Sequence, residues 1–278
     1  MSMKIDSHHH FWEYDSESYA WIGDGMDVLK RNFLPDDLLQ EVPRAGIDGV
    51  ISVQATQTVD ETRWLLGMAE QHEFIKGVVG WAPLASPDLG EVLASLESPL
   101  LKGIRHVVQA EPDDDFILGK EFNRGVALLD GVGLIYDILI FAKHLPQAIQ
   151  FVDLHPEQTF VLDHIAKPTI AADAFDAEWA ERIKELGERP HVYCKFSGVV
   201  TEVRDTEWSI DLIRPYWDVA LEAFGPSRLL FGSDWPVCLL RSVYGEWVSA
   251  VSDLASELSA DEQADFFGRN AALVYGLD

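Results

Sequence analysis

Residues 5–14 of the chain read IDSHHHFWEY: an apolar start, then an acidic residue, three histidines and an aromatic pair. Purification tags usually carry six or more histidines and have no aromatic continuation, so we interpret the three histidines as part of the protein itself. The pattern is typical of a short strand whose first residue is apolar and buried and whose last residues are polar. Alternate residues of a strand face the same side, which predicts that His8 and His10 project together and that His9 points the other way.

Seven similar apolar segments follow this first one, and helical stretches separate them. They are GVISVQA, FIKGVVGW, LKGIRHVV, GLIYDILI, TFVLDHI, VYCKFSG and RLLFGSDW. Their content of Val, Ile, Leu and Phe is typical of parallel strands that helices cover on the outside. Eight strand–helix alternations in 278 residues predict an α/β protein with a (β/α)8 barrel, as a single domain over residues 1–278. An open, doubly wound parallel sheet is the alternative.

Three of the intervening stretches carry helix start or stop signals. DETRWLLGMAEQ, from Asp60, places Trp64, Leu65, Met68 and Ala69 on one face behind an Asp cap. SIDLIRPYWDVALEAFG ends in Gly225, a residue type that commonly follows a helix C-terminus. SADEQADFFGRNAALVYGL opens with Ser259 and Glu262, which are spaced as a capping box.

The amino-acid composition limits which partners the protein is expected to bind and where in the cell it is expected to act. The chain has 47 acidic and 21 basic residues, a net charge of −26, which repels nucleic acid and anionic membrane surfaces. No apolar run approaches the ~20 residues needed to span a bilayer, and Asp6 with the histidines interrupts any signal peptide. With only Cys194 and Cys238, a disulfide framework is not expected. We therefore expect a cytoplasmic protein with no nucleic acid or membrane partner.

In a barrel of this kind the active site lies where the carboxyl ends of the strands meet. The predicted strand ends carry reactive side chains on most strands, so these side chains are expected to converge at one mouth. They are His8 and His10 on strand one, Arg105 and His106 on strand four, Tyr136 and Asp137 on strand five, Asp163 and His164 on strand six, Lys195 and Ser197 on strand seven, and Asp234 on strand eight.

These residues resemble those of the amidohydrolase superfamily, which has D-x-H-x-H on its first strand and an Asp closing its last. LDHIAKP, CKFSG and FGSDWPVC narrow the resemblance to the amidohydrolase 2 lactonases. WIGDGMDVL and FGSDWPVCLL are most similar to the L-fuconolactonases, which have L-rhamnono-lactonases and 2-pyrone-4,6-dicarboxylate lactonases as relatives. The matching segments span residues 5–240. The resemblance implies hydrolysis of a sugar lactone, such as L-fuconolactone, to its aldonic acid.

The resemblance also implies roles for individual residues. We expect Asp234 to be the general base that activates water, with His8, His10 and His164 as further catalytic residues. Arg105, Tyr136, Gln54, Trp81 and Trp12 are the predicted substrate-binding residues. A dicarboxylate substrate would require several arginines, and only Arg105 can be placed on a strand, so a small neutral sugar lactone is the expected substrate.

The need for a metal stays open at this stage. The metal-dependent members of the superfamily add a Lys or Glu on strand four and histidines on strands five and six. This chain has Arg105 on strand four and no histidine on strand five, and His164 on strand six matches. Either no cofactor is required, or one divalent ion, Zn²⁺, is held by His8, His10 and Asp234.

Three other readings compete with the sugar lactonase. They are a metal-dependent amidohydrolase or decarboxylase, a lactonase of the 2-pyrone-4,6-dicarboxylate type, and a non-catalytic sugar-binding barrel. Lys195 could also form a Schiff base, although the histidines have no task in that chemistry. Cys194 lies in the middle of an apolar strand, which indicates a buried thiol and not a nucleophile.

Overall fold

The structure, a computed structural model, describes residues 2–277. Eight strands form one sheet in the sequential order β1 to β8, and every neighbouring pair is parallel. All eight predicted strands are present: β1 Ile5–His9, β2 Gly49–Val53, β3 Ile75–Gly80, β4 Leu101–Val107, β5 Ile135–Leu139, β6 Phe160–Leu162, β7 Val192–Phe196 and β8 Leu229–Phe231.

The sheet closes where β8 and the residues after it meet β1. The Ser7 hydroxyl donates to the Phe231 carbonyl at 2.6 Å, and the Asp234 N–H donates to the His8 carbonyl at 2.8 Å. The His10 N–H adds a bond of 2.7 Å to the Trp235 carbonyl. A closed sheet with sequential order is a (β/α)8 barrel, which confirms the predicted fold and excludes the open doubly wound sheet.

Helices connect the strands and cover the outside of the barrel. They are α1 Pro35–Leu38, α2 Val59–Gln71, α3 Leu89–Ser95, α4 Lys120–Gly131, α5 Leu145–Asp153, α6 Ala177–Gly187, α7 Ile210–Phe224, α8 Tyr244–Leu254, α9 Ala260–Ala264 and α10 Asn270–Val274. None of the helices within residues 2–277 is long and apolar enough to cross a bilayer.

Two of the predicted helix signals are confirmed and one is wrong. Ser259 and Glu262 form the reciprocal capping box of α9, and Gly225 ends α7 with a φ of 66°. The Asp cap predicted at Asp60 is wrong, because the Thr58 side chain accepts the Glu61 N–H and Asp60 lies inside α2. Both residue types cap helices, so the sequence alone did not decide between them.

The interior of the barrel is apolar at its base and polar at its mouth. Side chains that point inward at the base form a small cluster: Ile5, Ile51, Val53, Val79, Ile135, Val161 and Leu230. A much larger apolar cluster lies between the sheet and the helices. Further along the strands, the inward positions are occupied by charged and imidazole side chains that are nearly or fully buried. Burying a charge costs free energy unless the charge is paired, so this polar layer indicates where the functional site lies.

Candidate active site

The three histidines at the end of β1 and directly after it divide between the two faces of the sheet, as strand alternation predicts. The His8 and His10 Nε2 atoms lie 3.3 Å apart inside the barrel. The His9 Nε2 instead lies 2.9 Å from the Ser52 hydroxyl, and its ring packs edge-on against Phe11. The pairing of β1 with β2 is irregular between Asp6 and His9. Such a bulge changes which face a residue occupies, so His8 lies on the same face as Ile5 although three positions separate them.

The four predicted catalytic residues lie together, with three histidines around the carboxylate of Asp234. Its Oδ1 lies 3.3 Å from the His10 Nε2, 3.7 Å from the His8 Nε2 and 3.9 Å from the His164 Nε2. The other ring nitrogen of His164 lies 2.9 Å from the Ser197 hydroxyl. Side chains from strands at opposite ends of the sequence therefore converge on one carboxylate oxygen.

The backbone that presents these groups is strained. Asp234 has a φ of 58°, and the four consecutive residues from His164 to Lys167 have φ values of 54°, 48°, 60° and 50°. For residues other than glycine, the left-handed region costs roughly 1–2 kcal/mol per residue. Gly198 leaves room for this turn, since a Cβ at that position would lie 2.7 Å from the His164 Nδ1. Strain of this kind clusters at functional sites.

A layer of paired charges lies directly beneath the histidines. Asp163 accepts a bond of 2.9 Å from the Arg105 guanidinium, and its other oxygen lies 3.0 Å from the Lys195 ammonium. Lys195 also donates to Asp137 at 2.5 Å. The Tyr275 hydroxyl donates to the same Asp137 carboxylate at 2.9 Å. Each of these buried charges therefore has a partner of opposite sign, which is the condition under which such charges are tolerated.

The hydrogen bonds of His10 define its tautomer. The His10 Nδ1 lies 2.8 Å from the Val53 carbonyl, which only accepts, so this nitrogen carries the proton and the Nε2 lone pair points toward Asp234. The His8 ring has donors at both nitrogens: the Arg105 guanidinium lies 3.3 Å from its Nε2, and the Lys195 ammonium lies 3.2 Å from its Nδ1. The Asp163 carboxylate, which only accepts, also lies 3.2 Å from the His8 Nδ1. These contacts fix the position of the His8 ring.

This set of donor atoms fits a divalent metal ion. Two imidazole nitrogens and a carboxylate oxygen that face one another form a group that a proton or a cation can bridge. His8, His10 and Asp234 offer ligand atoms within 4.8 Å of one another, and nitrogen with carboxylate oxygen is a ligand set that Zn²⁺ accepts. His8, Asp163 and His164 form a second such group, but Asp163 is already held by Arg105 and Lys195.

The electrostatic environment keeps the His8 and His164 imidazoles neutral and the Asp234 carboxylate charged. Burial lowers the pKa of His164 to about 4 and the pKa of His8 well below its usual value. Burial would raise the pKa of Asp234, but His164, His10 and Lys167 outweigh that effect, and the pKa lies below its ordinary value. At neutral pH, Asp234 is therefore a carboxylate that can accept a proton.

A cavity of about 360 Å³ opens above these groups. Its floor is formed by His10, Arg105, His164 and Asp234. Its upper wall comes from loops and includes Trp21, Thr56, Gln57, Gln109 and Lys167. Trp21 is 42% exposed and its ring meets the Trp12 ring edge-on at 5.7 Å. The volume is suited to a single small ligand.

The prediction that Tyr136 binds substrate is corrected by the structure. The Tyr136 side chain is fully buried on the outer face of β5, where its ring packs against Phe122, Phe151 and Phe160. Its neighbour Asp137 occupies the inner face. Strand alternation separates these two residues, and the inward position belongs to the one that pairs with Lys195.

Trp12 and Trp81 are also corrected as substrate-binding residues. Trp12 is fully buried, and its indole N–H donates to the carbonyls of Leu29 and Arg31. Its task is to hold the first loop, and Trp21 is the tryptophan of that loop that reaches the cavity. Trp81 lies outside the cavity lining and donates to the His106 Nδ1 at 3.3 Å.

Gln54 supports the site from behind. Its side-chain oxygen accepts a bond of 2.9 Å from the Arg105 guanidinium, and its carbonyl accepts a second bond from the same nitrogen. It is fully buried and does not line the cavity, so it positions Arg105 and does not itself reach the ligand space. Arg105 does line the cavity.

Lys167 and Asp163 are two members of the site whose roles the sequence did not predict. Lys167 reaches the cavity because the left-handed turn carries it and His164 to the same place, and no strand or helix period predicts that. The sequence identifies Asp163 as an acidic residue at a strand end. It does not predict the contacts of Asp163 with Arg105, Lys195 and His8, because these residues lie on three other strands. Cys194 is buried, and burial raises the pKa of its thiol, as expected for a structural cysteine.

Comparison with known proteins shows the family to which the chain belongs. The sequence pattern of the amidohydrolase family matches residues 5–277. The chain belongs to the amidohydrolase family. This amidohydrolase is 42% identical to the L-fucono-1,5-lactonase of Burkholderia multivorans (strain ATCC 17616 / 249), over 99% of this chain and 97% of that protein. It is 36% identical to the L-fucono-1,5-lactonase of Burkholderia ambifaria, over 100% of this chain and 97% of that protein.

A solved structure of similar sequence has the same fold. It is the crystal structure of an amidohydrolase from Burkholderia multivorans with bound zinc. It superposes on this amidohydrolase with a TM-score of 0.96 at 42% identity, covering 100% of both chains. The family resemblance inferred from LDHIAKP, CKFSG and FGSDWPVC is therefore confirmed.

Proposed function

We propose that this amidohydrolase hydrolyses a neutral sugar lactone, L-fucono-1,5-lactone or a similar aldonolactone, to the aldonic acid. The observation that carries the proposal is the convergence of His8, His10 and His164 on the Asp234 carboxylate, which lies at the floor of a small cavity. Two relatives at 42% and 36% identity are L-fucono-1,5-lactonases, and both match over nearly the whole chain. A further relative, from Scheffersomyces stipitis, is an L-rhamnono-gamma-lactonase at 22% identity.

Asp234 activates the attacking water. Its carboxylate is ionised at neutral pH and takes the proton as the water oxygen bonds to the lactone carbonyl carbon. The His164 Nε2, 3.9 Å from the Asp234 Oδ1, faces the same space and holds the water in line. When the ring C–O bond breaks, Asp234 returns the proton to the ring oxygen, which leaves as a hydroxyl of the open-chain acid.

The negative charge that develops on the carbonyl oxygen needs donors placed in advance. Arg105 is such a donor, because its guanidinium lines the cavity while Asp163 and Gln54 fix its position. Its Nε is buried and has no hydrogen-bond partner among residues 2–277.

His8, His10 and Asp234 would hold a divalent ion if one binds. The related amidohydrolase of known structure contains zinc, and the donor set here fits such an ion. A bound ion would polarise the lactone carbonyl and acidify a bound water. Asp163 and Lys195 hold the His8 ring in position, since each lies 3.2 Å from its Nδ1.

The charge of the cavity favours a neutral substrate over a dicarboxylate. Arg105 and Lys167 are the two lysine or arginine side chains in its lining, and Asp163 already neutralises Arg105. A dicarboxylate would leave at least one carboxylate without a strong partner, and Asp234 would repel it. A sugar lactone needs hydrogen bonds only, which Thr56, Gln57 and Gln109 can supply.

A pH-indicator assay tests the proposal. L-fucono-1,5-lactone, other aldonolactones and 2-pyrone-4,6-dicarboxylate are compared, each before and after exhaustive treatment with chelator. We expect kcat/KM of at least about 10⁴ M⁻¹ s⁻¹ for L-fuconolactone, within the ordinary range for enzymes. We expect little or no turnover of the dicarboxylate. Hydrolysis no faster than the spontaneous rate for every aldonolactone would refute the proposal.

A further inference from the structure

Lys167 is a cation at the active site whose part in the catalytic scheme is limited to its effect on the pKa of Asp234. It is the last residue of the left-handed turn that begins at His164. Four consecutive non-glycine residues in this conformation are unfavourable, and surrounding structure must enforce them. The turn places the Lys167 side chain in the wall of the same cavity that His164 and Asp234 enter.

The Lys167 ammonium has no close counter-charge. Among residues 2–277, no carboxylate oxygen lies within 4.0 Å of its Nζ and no hydrogen bond satisfies it. The Phe141 ring lies beneath it, with 5.7 Å between the Nζ and the ring centroid. Burial lowers the pKa of Lys167, and the carboxylates of Glu202 and Asp234 only partly oppose that effect. The position therefore suits an anion that comes from outside the protein.

Lys167 also lines a second cavity of about 560 Å³, beside the active-site cavity. Its two other cationic side chains already have partners: Lys143 pairs with Asp114 at 2.6 Å, and Arg204 pairs with Glu202 at 2.9 Å. In the active-site cavity, Arg105 pairs with Asp163. Lys167 is thus the cation shared by both cavities whose charge is not neutralised within the described part of the chain.

Ring opening changes what the site must bind. The lactone is neutral, but its hydrolysis leaves a carboxylate at the former carbonyl carbon, which the water activated by Asp234 has attacked. That carboxylate is repelled by Asp234 and by the net charge of −26. An ammonium at the edge of the cavity offsets this repulsion without adding to the binding of the neutral lactone.

We propose that Lys167 binds the carboxylate of the sugar acid and sets the preference of the cavity for anionic over neutral open-chain ligands. The inference rests on the proposed lactonase function, which names the acid. It assigns Lys167 a role in ligand binding and leaves the activation of water to Asp234.

Calorimetric titration with two matched ligands tests this proposal. L-Fuconate carries the carboxylate, and L-fucitol is the neutral alcohol of the same carbon chain. Wild-type protein should bind L-fuconate about tenfold or more tightly than L-fucitol, as a charge-assisted hydrogen bond requires. Raising the salt concentration from 50 to 500 mM should reduce this preference, because the cation is partly exposed.

Variants separate the charge of Lys167 from its structural effect. Lys167→Met should abolish the preference for L-fuconate while L-fucitol affinity changes by less than about threefold, and Lys167→Arg should retain the preference. Lys184→Met is the matched control, since Lys184 lies on α6 and pairs with Glu222 on the surface. It should behave as wild type.

The outcomes distinguish this proposal from the lactonase proposal. If Lys167→Met keeps the preference for the acid, or loses affinity for both ligands equally, Lys167 is not the carboxylate site. The same conclusion follows if wild-type protein does not prefer the acid. If wild type prefers L-fuconate through Lys167 but hydrolyses no aldonolactone, the lactonase proposal fails and the carboxylate site stands.

Discussion

Asp137 and Tyr136 are neighbours on β5 and both are fully buried, yet they belong to two different parts of the molecule. Asp137 faces the inside of the barrel, where it pairs with Lys195 below the histidines. Tyr136 faces the helices and is surrounded by phenylalanine rings. His9, the last residue of β1, and His10, which follows it, differ in the same way. The inner face of the sheet carries the charges and imidazoles of the site, and the outer face supplies apolar packing.

This difference shows that burial alone does not identify a functional residue in a barrel. The side of the sheet matters, because only the inner face leads to the mouth. A polar group on the outer face, such as the Tyr136 hydroxyl, has no path to a ligand. The comparison of the two faces therefore predicts which substitutions reduce catalysis and which affect packing alone.

The largest effect is expected at the inner-face mouth, for Asp234→Asn. Loss of the general base should lower kcat for lactone hydrolysis by about 10²–10⁴-fold, because the amide cannot accept the proton of water. Circular dichroism should show an unchanged fold. Asp218→Asn, on the exposed side of α7, is the matched control and should keep wild-type kcat. A loss of less than about tenfold for Asp234→Asn would remove Asp234 from the role of base.

Lys195→Met tests the charged layer below the mouth. It leaves Asp137 and Asp163 buried without the ammonium that both contact, and such a loss typically costs about 3–5 kcal/mol of unfolding free energy. Urea denaturation measures this value. The surface variant Lys184→Met should change it by less than about 0.5 kcal/mol. Equal stabilities of the two variants would show that the buried network does not depend on Lys195.

Tyr136→Phe tests the outer face and should have the smallest effect. Its hydroxyl is buried and has no hydrogen-bond partner within the described residues, so its removal leaves no broken bond. We expect kcat/KM within about twofold of wild type, and a urea midpoint that is not lower. A tenfold loss of kcat/KM would instead show that the Tyr136 hydroxyl contributes to substrate binding or catalysis.

Much of the fold and of the catalytic centre followed from the sequence, for physical reasons. The eight strands are short apolar runs, and the convergence of His8, His10, His164 and Asp234 follows from the rule that strand ends share one mouth. The rule concerns backbone topology, which the alternation of strands and helices reveals directly.

The remaining features depend on contacts that no local pattern records. Tryptophan is a residue type that often lines sugar sites, which is why Trp12 and Trp81 were predicted to bind substrate. Their indole N–H groups instead donate to acceptors within the protein. Lys167 reaches the cavity through a left-handed turn, which has no sequence period. The bulge between Asp6 and His9 likewise shifts the strand alternation without a sequence signal.

The comparison of His10→Asn with His9→Asn tests the central claim most directly, because the residues are adjacent and differ in the face they occupy. Both variants are assayed for L-fuconolactone hydrolysis well below their melting temperatures, so that both are folded. The account predicts that His10→Asn lowers kcat/KM by about 100-fold or more and that His9→Asn lowers it by less than about fivefold. Equal losses in the two variants would contradict the claim that the inner face of the barrel carries the catalytic site.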